Sequence, residues 1–195
     1  DSRLYGRPVE GRAELQLDGD RLDVDTELVS GDARLTASGG VGGGRELSFD
    51  IEVPRLGDLV ASLGGSVSVQ GKLGGTAQSP WLEATATGAA LLLPGQQRIE
   101  QLDAMLRGGL APDAPLDIAV TLRGHKAPGR PELWLSSASL TAQGTTAAHA
   151  IALDAKTETG EPLTLRASGG WLRDAWRGTV ESLAAGKPLN LLLDG

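Results

Sequence analysis

The sequence predicts an all-β chain, and three observations carry that expectation. Apolar and polar residues alternate with a period of two along most of its 195 residues. Gly and Asp turn pairs break the alternation about every ten residues, the spacing of strand–turn–strand units. Finally, no Asp, Glu, Lys or Arg falls in the inward phase of roughly thirteen alternating segments.

The elements follow in order. Val9, Gly11, Ala13, Leu15 and Leu17 face one way, with Glu10, Arg12, Glu14, Gln16 and Asp18 behind them. A turn at Gly19-Asp20 leads to Leu22, Val24, Thr26 and Leu28, and a turn at Ser30-Gly31-Asp32 leads to Ala33, Leu35 and Ala37. The run Gly39 to Gly44 reads as a long flexible hairpin loop, followed by Leu47, Phe49, Ile51 and Val53. After Pro54, the helical spacing of Leu56, Leu59, Val60 and Leu63 predicts one short helix near 55–63, stopped by Gly64-Gly65.

Alternation then resumes with Val67, Val69, Gly71 and Leu73, and with Leu82, Ala84, Ala86 and Gly88. Leu102, Ala104 and Leu106 form the next segment, and Leu116, Ile118, Val120 and Leu122 the one after it. Leu133 and Leu135 follow, with Trp134 in the outward phase. The last segments hold His149, Ile151 and Leu153, then Leu163, Leu165 and Ala167, then Trp176, Gly178 and Val180, and finally Leu189, Leu191 and Leu193. A one-residue slip would reverse both faces of any strand, so the pattern specifies register strongly.

Composition narrows the function. The net charge is −7 with acidic residues dispersed, so neither a nucleic-acid footprint nor a polybasic stripe for anionic lipid headgroups is present. Cysteine is absent, which excludes disulfides, thiolate metal sites and a Cys nucleophile. No apolar run approaches the roughly 20 residues of a spanning helix. The chain opens at Asp1 without a signal-like region, so residues 1–195 read as a single continuous segment excised from a longer protein.

Chemistry-bearing motifs fail on inspection. His125 reads as a solvated turn residue, and His149 stands inward without a second His or an in-phase carboxylate. Gly65 to Lys72 has the wrong spacing for a phosphate-binding loop, with Leu73 where Ser or Thr is required. Asp18, Asp20, Asp23 and Asp25 miss the calcium-loop spacing. No catalytic residue, metal site or cofactor is expected.

The inward set is almost entirely aliphatic, since aromatic residues make up 3% of the chain while Gly numbers 28. A packed sandwich fills its centre with bulky rings as well as aliphatics. The scarcity of rings and the inward Gly and Ala favour an open trough, yet alternation alone serves a closed sandwich equally.

Three stretches resemble the TamB family, long periplasmic proteins of Gram-negative bacteria within the AsmA-like group. They are Leu59 to Thr76 followed by Pro80-Trp81-Leu82, then Gly144 to Leu153, then Trp176 to Leu183. Their order resembles the central part of such a protein. The resemblance implies a long antiparallel-rich sheet curled into an open taco-like trough with an apolar concave face. It also implies a periplasmic location, an inner-membrane anchor outside this segment, and a partnership with the outer-membrane β-barrel TamA through other parts of the full-length protein. Roles in phospholipid transport and outer-membrane protein assembly come with it. His149 and Trp176 stand among the family-like residues, as structural ones.

A lipid cargo fits the inward face physically. Sheltering a chain of about 16 carbons is worth roughly 13 kcal/mol, so it moves only where neighbouring sites are nearly equal in energy. The expected lining for phospholipid acyl chains is Val9, Leu15, Leu22, Val24, Leu47, Phe49, Ile51, Val67, Val69, Leu82, Leu102, Leu106, Ile118, Val120, Leu133, Leu135, Ile151, Leu153, Leu163, Leu165, Trp176, Val180, Leu189 and Leu191. The alternative functions are a scaffold that pairs its strand edges with outer-membrane (autotransporter) client strands, and an inert packed domain.

Overall fold

The computed structural model describes residues 2–4, 7–76, 79–109, 111, 113–131, 134–172 and 175–186. They form one sheet of thirteen antiparallel strands in strict chain order: β1 (Ser2–Leu4), β2 (Arg7–Asp18), β3 (Arg21–Ser30), β4 (Ala33–Gly42), β5 (Arg45–Val53), β6 (Gly64–Gly75) and β7 (Pro80–Leu93), then β8 (Gln97–Gly109), β9 (Pro115–His125), β10 (Leu135–Thr145), β11 (His149–Thr157), β12 (Pro162–Leu172) and β13 (Ala175–Ala185). The sheet does not close into a barrel. Each strand bonds only to those before and after it in sequence.

Turn chemistry explains the hairpins. Gly19-Asp20 and Gly31-Asp32 are two-residue turns closed by the pairs Asp18–Arg21 and Ser30–Ala33. The glycine run at 39–44 is no long loop: β4 continues to Gly42, and Gly43-Gly44 alone make the turn, with φ of 62° and 79°. Two successive positive φ values match the right-handed twist of the flanking strands, and glycine adopts them without a Cβ clash.

The helix is shorter than its spacing predicts. α1 spans Leu56–Leu59, four residues, with Arg55 and Val60 extended on either side and no side-chain cap. Gly57 sits inside it and no side chain caps its first N–H groups, so helical spacing alone does not extend it. Gly64 and Gly65 then open β6.

No second layer covers the sheet among the described residues. The chain exposes 12722 Å², against roughly 8,700 Å² for a compact monomer of its 20.1 kDa. No large side chain is fully buried among the described residues, and the closed sandwich is thereby overturned. Instead the sheet curls. Cα atoms of β4 and β6 come within 8 Å across β5, where a flat sheet would hold them roughly 9.6 Å apart.

Candidate functional site: the apolar face

Directly paired residues in an antiparallel sheet share a face, so the register shows which side chains lie together. One unbroken row runs Ala13, Thr26, Ala37, Phe49, Gly71, Ala84, Leu106, Ile118, Ala142, Ile151, Ala167, Val180, crossing twelve strands. A second, two residues along each strand, runs Gly11, Leu28, Leu35, Ile51, Val69, Ala86, Ala104, Val120, Leu140, Leu153, Leu165, Leu183.

A third row, on the other side of the first, contains Leu15, Val24, Leu47, Leu73, Leu82, Leu116 and His149, separated by glycines. A fourth runs from Val53 through Val67, Gly88, Leu102, Leu122, Ala138, Ala155 and Leu163 to Ala185. No ionised side chain stands in any of the four rows. Thr26 and His149 are their only polar members.

The register thus brings together most of the expected lining. Val9 pairs with Ser2 at the start of the sheet, and Leu22 with Leu17 and Val41 beyond the third row. Leu135 opens β10 opposite His125 and Thr157, beside a bulge at Ser136. Leu133, Leu189 and Leu191 lie outside the described residues, as does Leu193.

Some members escaped the alternation rule. Glu181 is an extra residue in β13, so Leu183 and Val180 face the same way despite their odd spacing. Ala90, at φ 50°, interrupts the alternation of β7 in the same manner, and Leu91 folds over Gly88 at 4% exposure. Residues Ala138, Leu140 and Ala142 of β10 were hidden in a Ser-, Thr- and Ala-rich stretch with little apolar contrast.

Alanines gauge the curvature because their size is constant. On the apolar face Ala142 and Ala167 are 7% and 5% exposed, though no layer covers them. Ala150, on the opposite face between them, is exposed. Ala119 and Ala152, also on that opposite face, are half-buried, so the contrast is local to this part of the sheet. The shielding fades at the ends, where Leu15 is 66% and Val180 56% exposed.

Charge collects on the other face. Lys72 pairs with Glu46 at 3.2 Å, Arg107 with Glu83 at 3.0 Å and Arg166 with Asp154 at 2.8 Å, each across adjacent strands. Arg55 bridges Asp58 and Asp32, whose hydrogen bond and charge push its guanidinium pKa further up. Shallow depressions also open here, one of about 440 Å³ lined by Thr36, Asp50, Gln70 and Thr85 among others.

The remaining singled-out residues make local contacts. His125 ends β9, half-buried, with a ring nitrogen 3.5 Å from Gln97 Oε1. Trp134 precedes β10 rather than lying in a strand; its indole N–H donates to the Ala127 carbonyl at 2.8 Å, and the Lys126 ammonium sits 5.4 Å from the ring centroid. His149 is 6% exposed. No group of three metal-ligating side chains occurs among the described residues, nor is any helix among them long and apolar enough to cross a membrane.

A serial, uncovered antiparallel sheet with one uncharged face defines a class: an open trough that offers apolar surface along its length. The chain belongs to the TamB family, since the family model described as the TamB N-terminal domain matches residues 1–191. That description names the N-terminal domain, where the order of the sequence resembled the central part. The family is one of transport and assembly in the Gram-negative cell envelope, and it works with TamA in general terms. No curated protein and no solved structure gives a significant match.

Proposed function

We propose that the sheet carries phospholipid acyl chains along its apolar face, as one section of a periplasmic conduit between inner and outer membranes. The carrying observation is the set of four uncharged rows, three of them crossing from β2 to β13 and the fourth from β5 to β13, left without a covering layer. An alkyl chain on such a surface meets Leu, Ile, Val, Ala and Gly at most steps. Leaving it for water would forfeit roughly 0.8 kcal/mol per CH₂, whereas sliding to the next strand changes little. Thirteen strands at about 4.8 Å span roughly 60 Å, so this piece serves as part of a longer path anchored in the inner membrane elsewhere. No reaction chemistry is involved.

Site-specific photocrosslinking in the full-length protein in cells tests this reading. A crosslinker at Ile118 should capture phospholipid, and one at the adjacent Ala119, on the opposite face, should not. Equal capture at both positions, or none at Ile118, would sink it.

A second reading is a scaffold for outer-membrane protein assembly by strand pairing. It draws on β13, whose outer edge bears no paired strand among the described residues and whose Val180 is 56% exposed. Thr179→Pro should impair client assembly under that reading, while an inward charge at Ile118 should spare it.

A further inference from the structure

Trp176 stands on β13 yet reaches past β12 to β11. Its indole crosses Gly169 and Gly178, where a Cβ would lie 2.6 Å and 2.2 Å from ring atoms. At the far end Nε1–H donates to His149 Nε2 at 2.9 Å. His149 Nδ1 lies 3.0 Å from the Thr145 carbonyl oxygen.

These contacts fix the protonation state. An indole nitrogen only donates and a carbonyl only accepts, so His149 must accept at Nε2 and donate at Nδ1. That is the neutral imidazole with its proton on Nδ1. A second proton would occupy Nε2 and set two N–H groups against each other.

From β10 and its turn Gln143, Gly144, Thr145, Ala147 and Ala148 border His149; from β12 come Ser168, Gly169 and Gly170. None of these titrates. Of the charged groups on β13, Arg177 lines the same depression and Glu181 accepts from the Ser168 hydroxyl at 2.6 Å. With His149 only 6% exposed, solvent gives little relief.

We propose that His149 and Trp176 form a proton-sensitive latch holding the start of β13 on the sheet. The latch is closed while His149 is neutral. Protonation removes the acceptor, and the start of β13 loses its side-chain tie to β11, while the Trp171 N–H stays on the Thr146 carbonyl at 3.1 Å. This end of the trough edge therefore loosens on acidification.

Hydrogen exchange read by mass spectrometry on the full-length protein tests the latch. Protection of a peptide spanning 175–180 is compared at about pH 7.5 and about pH 5, either side of the ordinary imidazole range, after correction for intrinsic rates. Losing one hydrogen bond should lower protection about tenfold at the acid pH. His149→Gln, whose amide oxygen can accept from the indole at either pH, should abolish the step. Trp176→Phe should show low protection at both pH values and no step. Peptides from β6 and β7 report whether each variant is folded, and Trp176→Phe carries the test if His149→Gln is not. Equal wild-type protection at both pH values, or a step that survives in either folded variant, would overturn the proposal.

Discussion

Phe49 on β5 lies over Gly71 on β6, so closely that a Cβ on the glycine would sit 2.6 Å from the ring's Cζ. The two residues are direct cross-strand partners, and the ring fills the space the missing side chain leaves. Trp81 covers Gly74 in the same way on the opposite face, where a Cβ would meet the indole at 2.5 Å. Scarce rings and abundant glycines are thus two halves of one packing device.

Substitution at Gly71 should therefore damage the sheet itself. A Cβ there would also meet the Glu83 carbonyl oxygen at 2.5 Å, so the ring and the backbone must both shift. Gly71→Val is expected to cost about 1–3 kcal/mol, read by denaturant unfolding. A midpoint unchanged from wild type would contradict this packing.

Charge placed on the apolar face should separate transport from folding. Val69→Asp and Ile118→Arg each put an ion in the middle of a row, flanked by Ile51 and Ala86 or by Leu106 and Ala142. Neither position is covered, so the charge keeps access to water and the sheet should hold. An alkyl chain passing it would leave an ion poorly solvated, a barrier of several kcal/mol. Circular dichroism should match wild type while phospholipid transfer falls; normal transfer by both folded variants would refute the conduit.

Burial is uneven, and truncations should follow it. Leu91 is 4% exposed and Leu17 77%. Leu91→Ala is expected to cost about 2–5 kcal/mol, whereas Leu17→Ala should stay within about 0.5 kcal/mol of wild type. Comparable losses at the two sites would mean that the exposed margin is covered in solution.

Ion pairs on the outer face should matter unequally. Arg166 grips both carboxylate oxygens of Asp154, at 2.8 and 3.0 Å, and also donates to the Leu153 and Leu165 carbonyls. Arg12 makes one contact of 3.3 Å to Asp25 with both side chains largely exposed. Arg166→Gln should lower the melting temperature by a few degrees, and Arg12→Gln should leave it unmoved. Salt should weaken the first effect only in part. Equal shifts for the two variants would discount the added contacts of Arg166.

Much of this was legible in the sequence because one physical signal, alternation, sets both the strands and their faces. Segments such as Leu116 to Leu122 state their register outright: Leu, Ile, Val and Leu alternate with Asp, Ala and Thr. The signal fails where contrast or regularity is lost. In residues 135–145 small Ala138 and Ala142 alternate with Ser137, Ser139 and Thr141, giving little contrast between the faces, so the strand looked shorter and earlier than it is. Bulges at Ser136, Ala90 and Glu181 shift the phase without any residue type announcing them. The Gly39 to Gly44 run suggested freedom, yet pairing across β3 to β5 absorbs most of it.

The contact between His149 and Trp176 shows the same boundary. Each residue drew notice alone, but alternation describes faces and not which side chains cross a strand to meet. Gly169 and Gly178, without side chains beneath the indole, make the reach possible.

Strictly serial pairing of β1 to β13 has a consequence for how such a chain is made and how it changes. Every hydrogen-bonded ladder joins segments close in sequence, so no long loop must close before structure forms, and hairpins can zip in order as the polypeptide emerges. For the same reason a pair of strands can be gained or lost without rethreading the rest. Reach then becomes a quantity that evolution tunes in increments of roughly 10 Å, much as a ladder is lengthened rung by rung.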